Sequence, residues 1–167
     1  MSANAAAGAL PESVSSAPLL RDAGSAPTLE MMGVRIRFLV STAETAGAWS
    51  LLEYTAPAGF AGPAPHYHAR TTELFYVLEG RLTLEHGGAA RVLEPGGLAL
   101  VPPGVLHRFS NPAAEPCRFL IQLSPGGMEG YFTELAGLVR SAPAWPLPDM
   151  RPVAELAERF DTFSPTA

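Results

Sequence analysis

Lysine is absent from the 167 residues of this chain, and cysteine occurs once, as Cys117. A single cysteine excludes an internal disulfide and a thiolate zinc cluster. The positive side chains are therefore all arginines; they are scattered along the chain, and the formal net charge is −5. These features argue against a nucleic-acid partner, which would require a basic face. No apolar run approaches membrane-spanning length and no secretory leader is visible, so we expect a cytoplasmic protein without a membrane partner.

The composition divides the chain into three parts. Residues 1–28 are rich in Ala, Ser, Pro and Gly and are predicted to be a flexible leader. Residues 29–126 contain short apolar runs separated by turn residues. From residue 127 the period changes, and apolar residues recur at helical spacing from Met128 to Val139 and again from Val153 to Phe160. We therefore expect a domain over 29–126 and a helical extension over 127–167 that packs on it.

The middle part predicts a series of antiparallel strands. Val34–Val40 and the segments near 74–78, 81–85, 91–93, 98–101 and 118–123 have strand composition, and the segment 98–101 is predicted to be a short buried strand. Gly87-Gly88, Pro95–Gly97 and Pro102–Gly104 supply the turns between them. The sequence therefore predicts an all-β fold, with a small antiparallel barrel at its centre.

Three histidines and one carboxylate in this region have spacings that suit a metal. His66 and His68 share a face of an extended strand, so their imidazoles can bind one ion. Glu73 lies an odd number of residues beyond His68, so residues 69–72 must form a turn or bulge if Glu73 is to face the same way. The Pro102–Gly104 corner then delivers His107. We predict that His66, His68, Glu73 and His107 bind one divalent transition metal ion, of a kind such as Fe, Mn, Ni, Cu or Zn.

The same residues carry a family resemblance. Residues 66–80 read H-x-H, four residues, Glu, six residues, Gly, and residues 96–111 follow the pattern G-x5-P-x-G-x2-H-x3-N. This pair resembles the two motifs of single-domain cupins, and the tail after residue 124 is similar to that of the quercetin-dioxygenase group. The resemblance implies a double-stranded β-helix, or jelly roll, with the four ligands named above. It departs from the family at Phe60, where a glycine is usual; Gly59 and Gly62 flank that position.

Strand parity also predicts what surrounds the metal. Phe75 and Val77 share the face of Glu73, and Phe109 shares the face of His107. Gln122 is a polar residue in an apolar strand, and it faces either the ligand or water at an edge position. An apolar, aromatic lining favours an aromatic or polyketide-like organic substrate over a sugar phosphate.

Two classes of function fit these residues, and the sequence leaves open whether the protein is an enzyme. The first is a metal-dependent enzyme: a dioxygenase in which Glu73, as ligand or base, accepts a substrate proton, or an isomerase or cyclase that uses the metal as a Lewis acid. The second is a non-catalytic module that binds or senses a small molecule.

We also expect a homodimer, because strands such as 98–101 and 119–123 have apolar residues on both faces.

Overall fold

The computed structural model describes residues 17–165, so the first sixteen residues of the predicted leader lie outside the described residues. Eleven strands and two α-helices follow one another in this part of the chain. The strands are β1 (Thr28–Met31), β2 (Val34–Val40), β3 (Ser50–Ala56), β4 (Tyr67–His68), β5 (Thr72–Glu79), β6 (Leu82–His86), β7 (Ala89–Leu93), β8 (Leu98–Val101), β9 (His107–Ser110), β10 (Cys117–Ser124) and β11 (Thr162–Phe163). The helices are α1 (Met128–Ser141) and α2 (Arg151–Arg159), and a 3₁₀ turn covers Thr42–Thr45.

Antiparallel sheets form a jelly-roll core. One sheet has the order β1-β2-β3-β10-β5-β8, and a second has the order β7-β6-β9. In the first sheet Phe119 of β10 pairs with Tyr54 of β3 and Val77 of β5, and all three side chains are buried. Alternate residues of β10 are buried along its length, as expected for a strand with one face on the core. The predicted all-β antiparallel fold is confirmed.

The outer face of the six-stranded sheet carries a cluster of ion pairs around β3. Glu53 of β3 bonds Arg37 of β2 at 2.8 Å and Arg118 of β10 at 3.0 Å, while its neighbour Tyr54 points into the core. The parity of β3 allows only one of these two residues to face inward, and the buried ring of Tyr54 removes more apolar surface from water than a carboxylate could.

Strand β8 differs from its predicted character. The sequence indicated a short buried strand, but β8 lies at the edge of its sheet, with Leu98 54% and Leu100 57% exposed. Only Val101 at its end is buried. An apolar tetrapeptide does not reveal whether a second sheet covers its outer face, and here the described part of the chain does not cover it.

The two helices adjoin the barrel rather than extending the sheets. Helix α1 buries Met128, Leu135 and Ala136, and Phe132 lies 6.4 Å from Tyr54, measured between ring centroids. Helix α2 buries Leu156. Within the described part of the chain, neither helix has the length and apolar character needed to span a bilayer.

Candidate metal centre

The four predicted ligands converge in space. His66 precedes β4, His68 lies in β4, Glu73 in β5, and His107 opens β9. His66 and His107 face each other across an antiparallel bridge, with both N–H···O distances 2.9 Å. One ligand atom from each of the four residues lies within 4.8 Å of the others, and all four side chains are buried.

The interruption of the strand between His68 and Glu73 reverses the alternation of side-chain directions, as predicted. β4 ends at His68 and β5 begins at Thr72, so residues 69–71 form an irregular turn. This turn allows Glu73 to share the inner face with His68, despite the odd offset between them. The Glu73 Oε2 atom then lies 3.3 Å from Nε2 of His68 and 3.0 Å from Nε2 of His107.

Each imidazole is oriented by a main-chain carbonyl. Nδ1 of His66 lies 3.0 Å from the oxygen of Ala64, and Nδ1 of His107 lies 2.9 Å from the oxygen of Val105. Nδ1 of His68 lies 3.0 Å from the oxygen of Asp161. A carbonyl oxygen only accepts, so each Nδ1 must carry the hydrogen and donate it. In the neutral imidazoles the free lone pair is therefore on Nε2, and for His68 and His107 it points at Glu73.

The contacts between Glu73 and the histidines shift the pKa values of the cluster. Burial alone would raise the pKa of Glu73, but the Nε2 atoms of His107 and His68, which donate to the carboxylate when their rings are protonated, outweigh burial and lower the pKa to about 2. Burial opposes protonation of His68, yet the hydrogen bond to Glu73 raises its pKa above the ordinary value. Burial lowers the pKa of His66 and favours its neutral form. The cluster thus stabilises one positive charge beside the carboxylate.

The residues fit a transition metal ion. Without a cation or proton between them, the Nε2 lone pairs of His68 and His107 would face an anionic oxygen, which is unfavourable in a buried site. Nitrogen donors with one carboxylate suit a borderline divalent ion, and Nδ1–H bonds to carbonyls are the usual way in which ligating histidines are held.

The predicted substrate-binding residues divide into two groups. Phe75, Val77 and Phe109 are buried on the inner side, with the Phe75 ring 6.5 Å from His107 and 5.3 Å from Phe109. Gln122 pairs with Leu51 and Leu74, on the face opposite to the buried Ile121. It is therefore directed away from the cluster, and it lies half-buried on the outer face of a central strand rather than at the edge position that its sequence also allowed.

Several residues near the site had no clear sequence signal. Tyr54 and Phe60 join the aromatic interior, with ring centroids 5.7 Å and 6.2 Å from Phe109. Asp161 contacts both His68 and the 69–71 turn from the far end of the chain. A single tyrosine or aspartate carries no period or motif, so only the packed structure reveals these contacts.

Gly62 accounts for the departure at Phe60. A Cβ atom on Gly62 would lie 1.7 Å from the main-chain oxygen of Phe109, and its φ of +78° also favours glycine. Phe60 instead forms an antiparallel bridge with Asn111. The close approach that requires a glycine thus occurs at residue 62, and the loop still brings the chain to His66.

A surface groove beside α2 does not include the four ligands. It has a volume of about 630 Å³ and is lined by residues of α2 and by Phe163. The convergence of the buried donors, rather than the size of this groove, therefore identifies the candidate site.

Comparisons with known proteins agree with the motifs. A family model described as Cupin domain matches residues 52–123, which include all four ligands. The oxidoreductase OpS7 of Beauveria bassiana is 34% identical over 99 residues, covering 55% of this chain and 32% of that protein. The polyketide synthase CurC of Streptomyces cyaneus is 37% identical over 60 residues, covering 36% of this chain and 39% of that protein. The chain thus spans less than two-fifths of the length of these two curated relatives.

A solved structure shares the fold. The predicted oxalate decarboxylase of Thermotoga maritima superposes with a TM-score of 0.58 at 17% identity, over 64% of this chain and 99% of that one. At this identity the likeness supports the barrel architecture and carries no information about the reaction.

Proposed function

We propose that this chain, whose residues 52–123 match the Cupin domain family model, binds one divalent transition metal ion and acts on a small aromatic or polyketide-like molecule as a dioxygenase. The observation that carries the proposal is the convergence of His66, His68, Glu73 and His107. The similarity to an oxidoreductase supports redox chemistry, although it covers a third of that relative. A location in the cytoplasm remains part of the proposal.

Metal and protein would contribute differently to the reaction. When bound, a divalent transition metal supplies Lewis acidity and, for Fe, Mn, Ni or Cu, access to redox chemistry. His66, His68 and His107 would hold it through Nε2, because Nδ1 of each ring is already bonded to a carbonyl. The carbonyl contacts thus leave Nε2 as the metal-binding nitrogen of each ring.

Glu73 would also accept a proton from the substrate. Its low pKa keeps the carboxylate ionised at neutral pH, so Oε2 can accept a proton from an enolic or phenolic substrate that lies beside it. A base with so low a pKa takes a proton only from an acidified hydroxyl. This requirement suits a substrate whose hydroxyl is acidified by the metal, and it disfavours abstraction from an ordinary carbon acid.

The aromatic interior would select the substrate. Phe75 and Phe109 lie on the inner side of His107 and present buried rings. Such rings favour flat, apolar molecules and exclude water from the reacting groups. Val77, two residues further along β5 and fully buried, would limit the depth to which the substrate enters.

A metal-loading experiment tests the site. Purified protein should contain about one divalent metal per chain, and His68→Ala should lower the occupancy severely because it removes one of four donors. Gln is a useful replacement at position 73, since Glu73→Gln keeps the shape but removes charge and basicity. If Glu73 accepts the proton, the rate should fall about 10²–10⁴-fold at equal metal content.

A substrate panel tests the reaction. Flavonols, catechols, enediols and cyclic 1,3-diketones would be assayed with each of Fe, Mn, Ni, Cu and Zn for oxygen uptake, and separately for conversion under anaerobic conditions. Oxygen uptake that requires metal supports the dioxygenase. Binding of every candidate without turnover by any metal would instead favour the non-catalytic binding module.

Cyclisation or isomerisation is the second candidate. The observation in its favour is the similarity to CurC, which is named as a polyketide synthase, over 60 residues. The same cluster would then act through Lewis acidity and proton transfer, without consuming oxygen. Anaerobic conversion of a 1,3-diketone or polyketide-like substrate by the metal-loaded protein would decide for this reaction.

We also propose that the chain forms a homodimer through the outer surface near β8. Leu98 and Leu100 are more than half exposed, and Tyr76, which pairs with Leu98, is 37% exposed. As an edge strand, β8 also presents unpaired main-chain groups that a second copy can bond. By contrast, Phe119 and Ile121 of the other predicted interface are buried in the core, so that surface is unsuited to the contact.

A further inference from the structure

The segment Phe160–Phe163, here named the C-terminal strap, follows α2 and returns to the metal centre. Its strand β11 pairs with β4, so that Thr162 lies opposite His68 and Phe163 lies opposite Tyr67. The rings of Phe163 and Tyr67 stack, with centroids 5.5 Å apart. A strand that carries a candidate metal ligand is thus paired with the last described strand of the chain.

The strap orients His68 in a way that differs from the other two histidines. His66 and His107 each donate Nδ1–H to the carbonyl two residues earlier in their own segment, at Ala64 and Val105. His68 instead donates to the carbonyl of Asp161, 93 residues away. The position and tautomer of His68 therefore depend on a distant segment, whereas those of the other two are set locally.

The Asp161 side chain also fixes the turn between His68 and Glu73. Its Oδ2 atom accepts hydrogen bonds from the main-chain N–H of Arg70 at 3.0 Å and of Thr71 at 2.9 Å, and from the Thr71 hydroxyl at 2.8 Å. Arg70 Nε lies 3.6 Å from the other carboxylate oxygen. Asp161 thus contacts the predicted ligand His68 and holds the turn that orients the next predicted ligand, Glu73.

The local structure gives Asp161 a defined position. Its φ is +56°, a left-handed conformation that aspartate tolerates better than most residues. Before it, Phe160 packs so closely on α1 that a Cβ atom on Gly130 would lie 2.5 Å from the ring. The strap is therefore held on one side by α1 and on the other by β4.

We propose that Asp161 is a positioning residue for the metal centre, which holds His68 through its main-chain carbonyl and Glu73 through the 69–71 turn. This inference rests on the proposed metal binding. It assigns to the C-terminal strap a part in metal affinity, although the strap contributes no ligand.

The test compares Asp161→Ala and Asp161→Asn with Asp149→Asn in the full chain. Asp149 is an exposed aspartate whose side chain bonds only to Arg151 among the described residues, so it is a matched control. Mn²⁺, Co²⁺ and Ni²⁺ would be titrated into metal-free protein, with circular dichroism and urea unfolding as checks of folding. Asp161→Ala removes the carboxylate that holds the 69–71 turn, and alanine disfavours the left-handed backbone that directs the carbonyl toward His68. It should therefore weaken binding about 10–100-fold, the usual effect of removing support from a ligating histidine.

More conservative variants should reduce metal affinity by smaller amounts. Asp161→Asn keeps one side-chain oxygen, the amide oxygen, and asparagine tolerates the left-handed conformation. Its loss of affinity should therefore be smaller than that of Asp161→Ala. This variant also serves the test if Asp161→Ala fails to fold. Thr71→Val removes only the hydroxyl donor and should weaken binding less than Asp161→Ala. Asp149→Asn should bind as the unchanged protein does.

A second measurement does not require metal. The ¹⁵N shifts of the His68 ring in metal-free protein report which nitrogen carries the hydrogen, and they should change in Asp161→Ala but not in Asp149→Asn. Unchanged affinity in folded Asp161 variants would overturn the inference. Weaker affinity with an unchanged His68 signal would overturn the contact with His68 and support only the hold on the turn before Glu73. Failure of the unsubstituted protein to bind any of the ions would refute the proposed function instead, and the ring shifts would still test the contact with Asp161.

Discussion

Replacing Glu73 by glutamine should destabilise the metal-free protein, by an amount that depends on pH. Glu73 is 5% exposed, and its Oε2 atom contacts Nε2 of both His68 and His107. The fall of its pKa from the ordinary value of 4.5 to about 2 corresponds to about 3 kcal/mol of folding free energy, at about 1.4 kcal/mol for each factor of ten in proton binding. Because the side chain is buried, solvent screening reduces this value little.

The pH dependence of this stability contribution follows from the pKa shifts of both Glu73 and His68. The depressed pKa of Glu73 contributes stability above pH 4.5, and this contribution is lost as the pH falls toward 2. The raised pKa of His68 contributes stability below 6.5, and this contribution is lost as the pH rises through the folded value. The two contributions overlap between about pH 4.5 and 6.5. Above that range a glutamine amide can donate to the neutral Nε2 atoms, so the effect of Glu73→Gln should shrink.

Urea unfolding at pH 5, 6, 7 and 8, in the presence of a chelator, measures this effect. Glu73→Gln should lower the free energy of unfolding by about 3 kcal/mol near pH 6 and by less at pH 8. Glu79→Gln is the matched control, because Glu79 pairs with Arg118 at the surface, where solvent screens the ion pair, and the substitution should leave stability nearly unchanged. Equal stabilities at pH 6, or a difference that increases toward pH 8, would refute the charge arrangement derived for this cluster.

Three further predictions concern the metal, the backbone and the surface. Metal uptake should release a proton at any pH where His68 is protonated, and affinity should fall as the pH drops, because the metal requires the neutral ring that Glu73 disfavours; calorimetry in buffers of different ionisation enthalpy measures the number of protons released. Gly62→Ala should cost at least about 2 kcal/mol in unfolding experiments, whereas Gly88→Ala, where no atom lies within 4 Å of the new Cβ, should cost about 1 kcal/mol. Leu100→Glu should convert a dimer to a monomer in sedimentation experiments at micromolar concentration, and a chain that is already monomeric there would contradict the proposed interface.

The metal cluster could be predicted because its constraints are local. Strand parity places His66 and His68 on one face, and the odd offset of Glu73 requires the turn that the structure contains at residues 69–71. His107 follows a proline and glycine corner whose form depends on neighbouring residues. Such constraints involve a few consecutive residues, so the sequence expresses them directly.

The burial of strands was harder to predict. Leu98–Val101 and Phe119–Leu123 are both apolar, yet β8 lies exposed at a sheet edge and β10 lies at the centre of the same sheet. Their neighbours decide this difference, and the neighbours come from distant parts of the chain. The orientation of Gln122, away from the ligands, likewise follows from its pairing with Leu51 and Leu74.

The sequence by itself determined the antiparallel barrel, its turns and the identity of four donors, because period, glycine and proline placement, and motif spacing act over short distances. Only the tertiary structure decided that Tyr54 rather than Glu53 faces inward, and that Asp161 supports His68 from 93 residues away. Inward orientation depends on the packing available on each face of a sheet, and the Asp161 contact depends on where α1 and α2 return the chain. Neither property is encoded in the residues adjacent to the site, so both required the packed molecule.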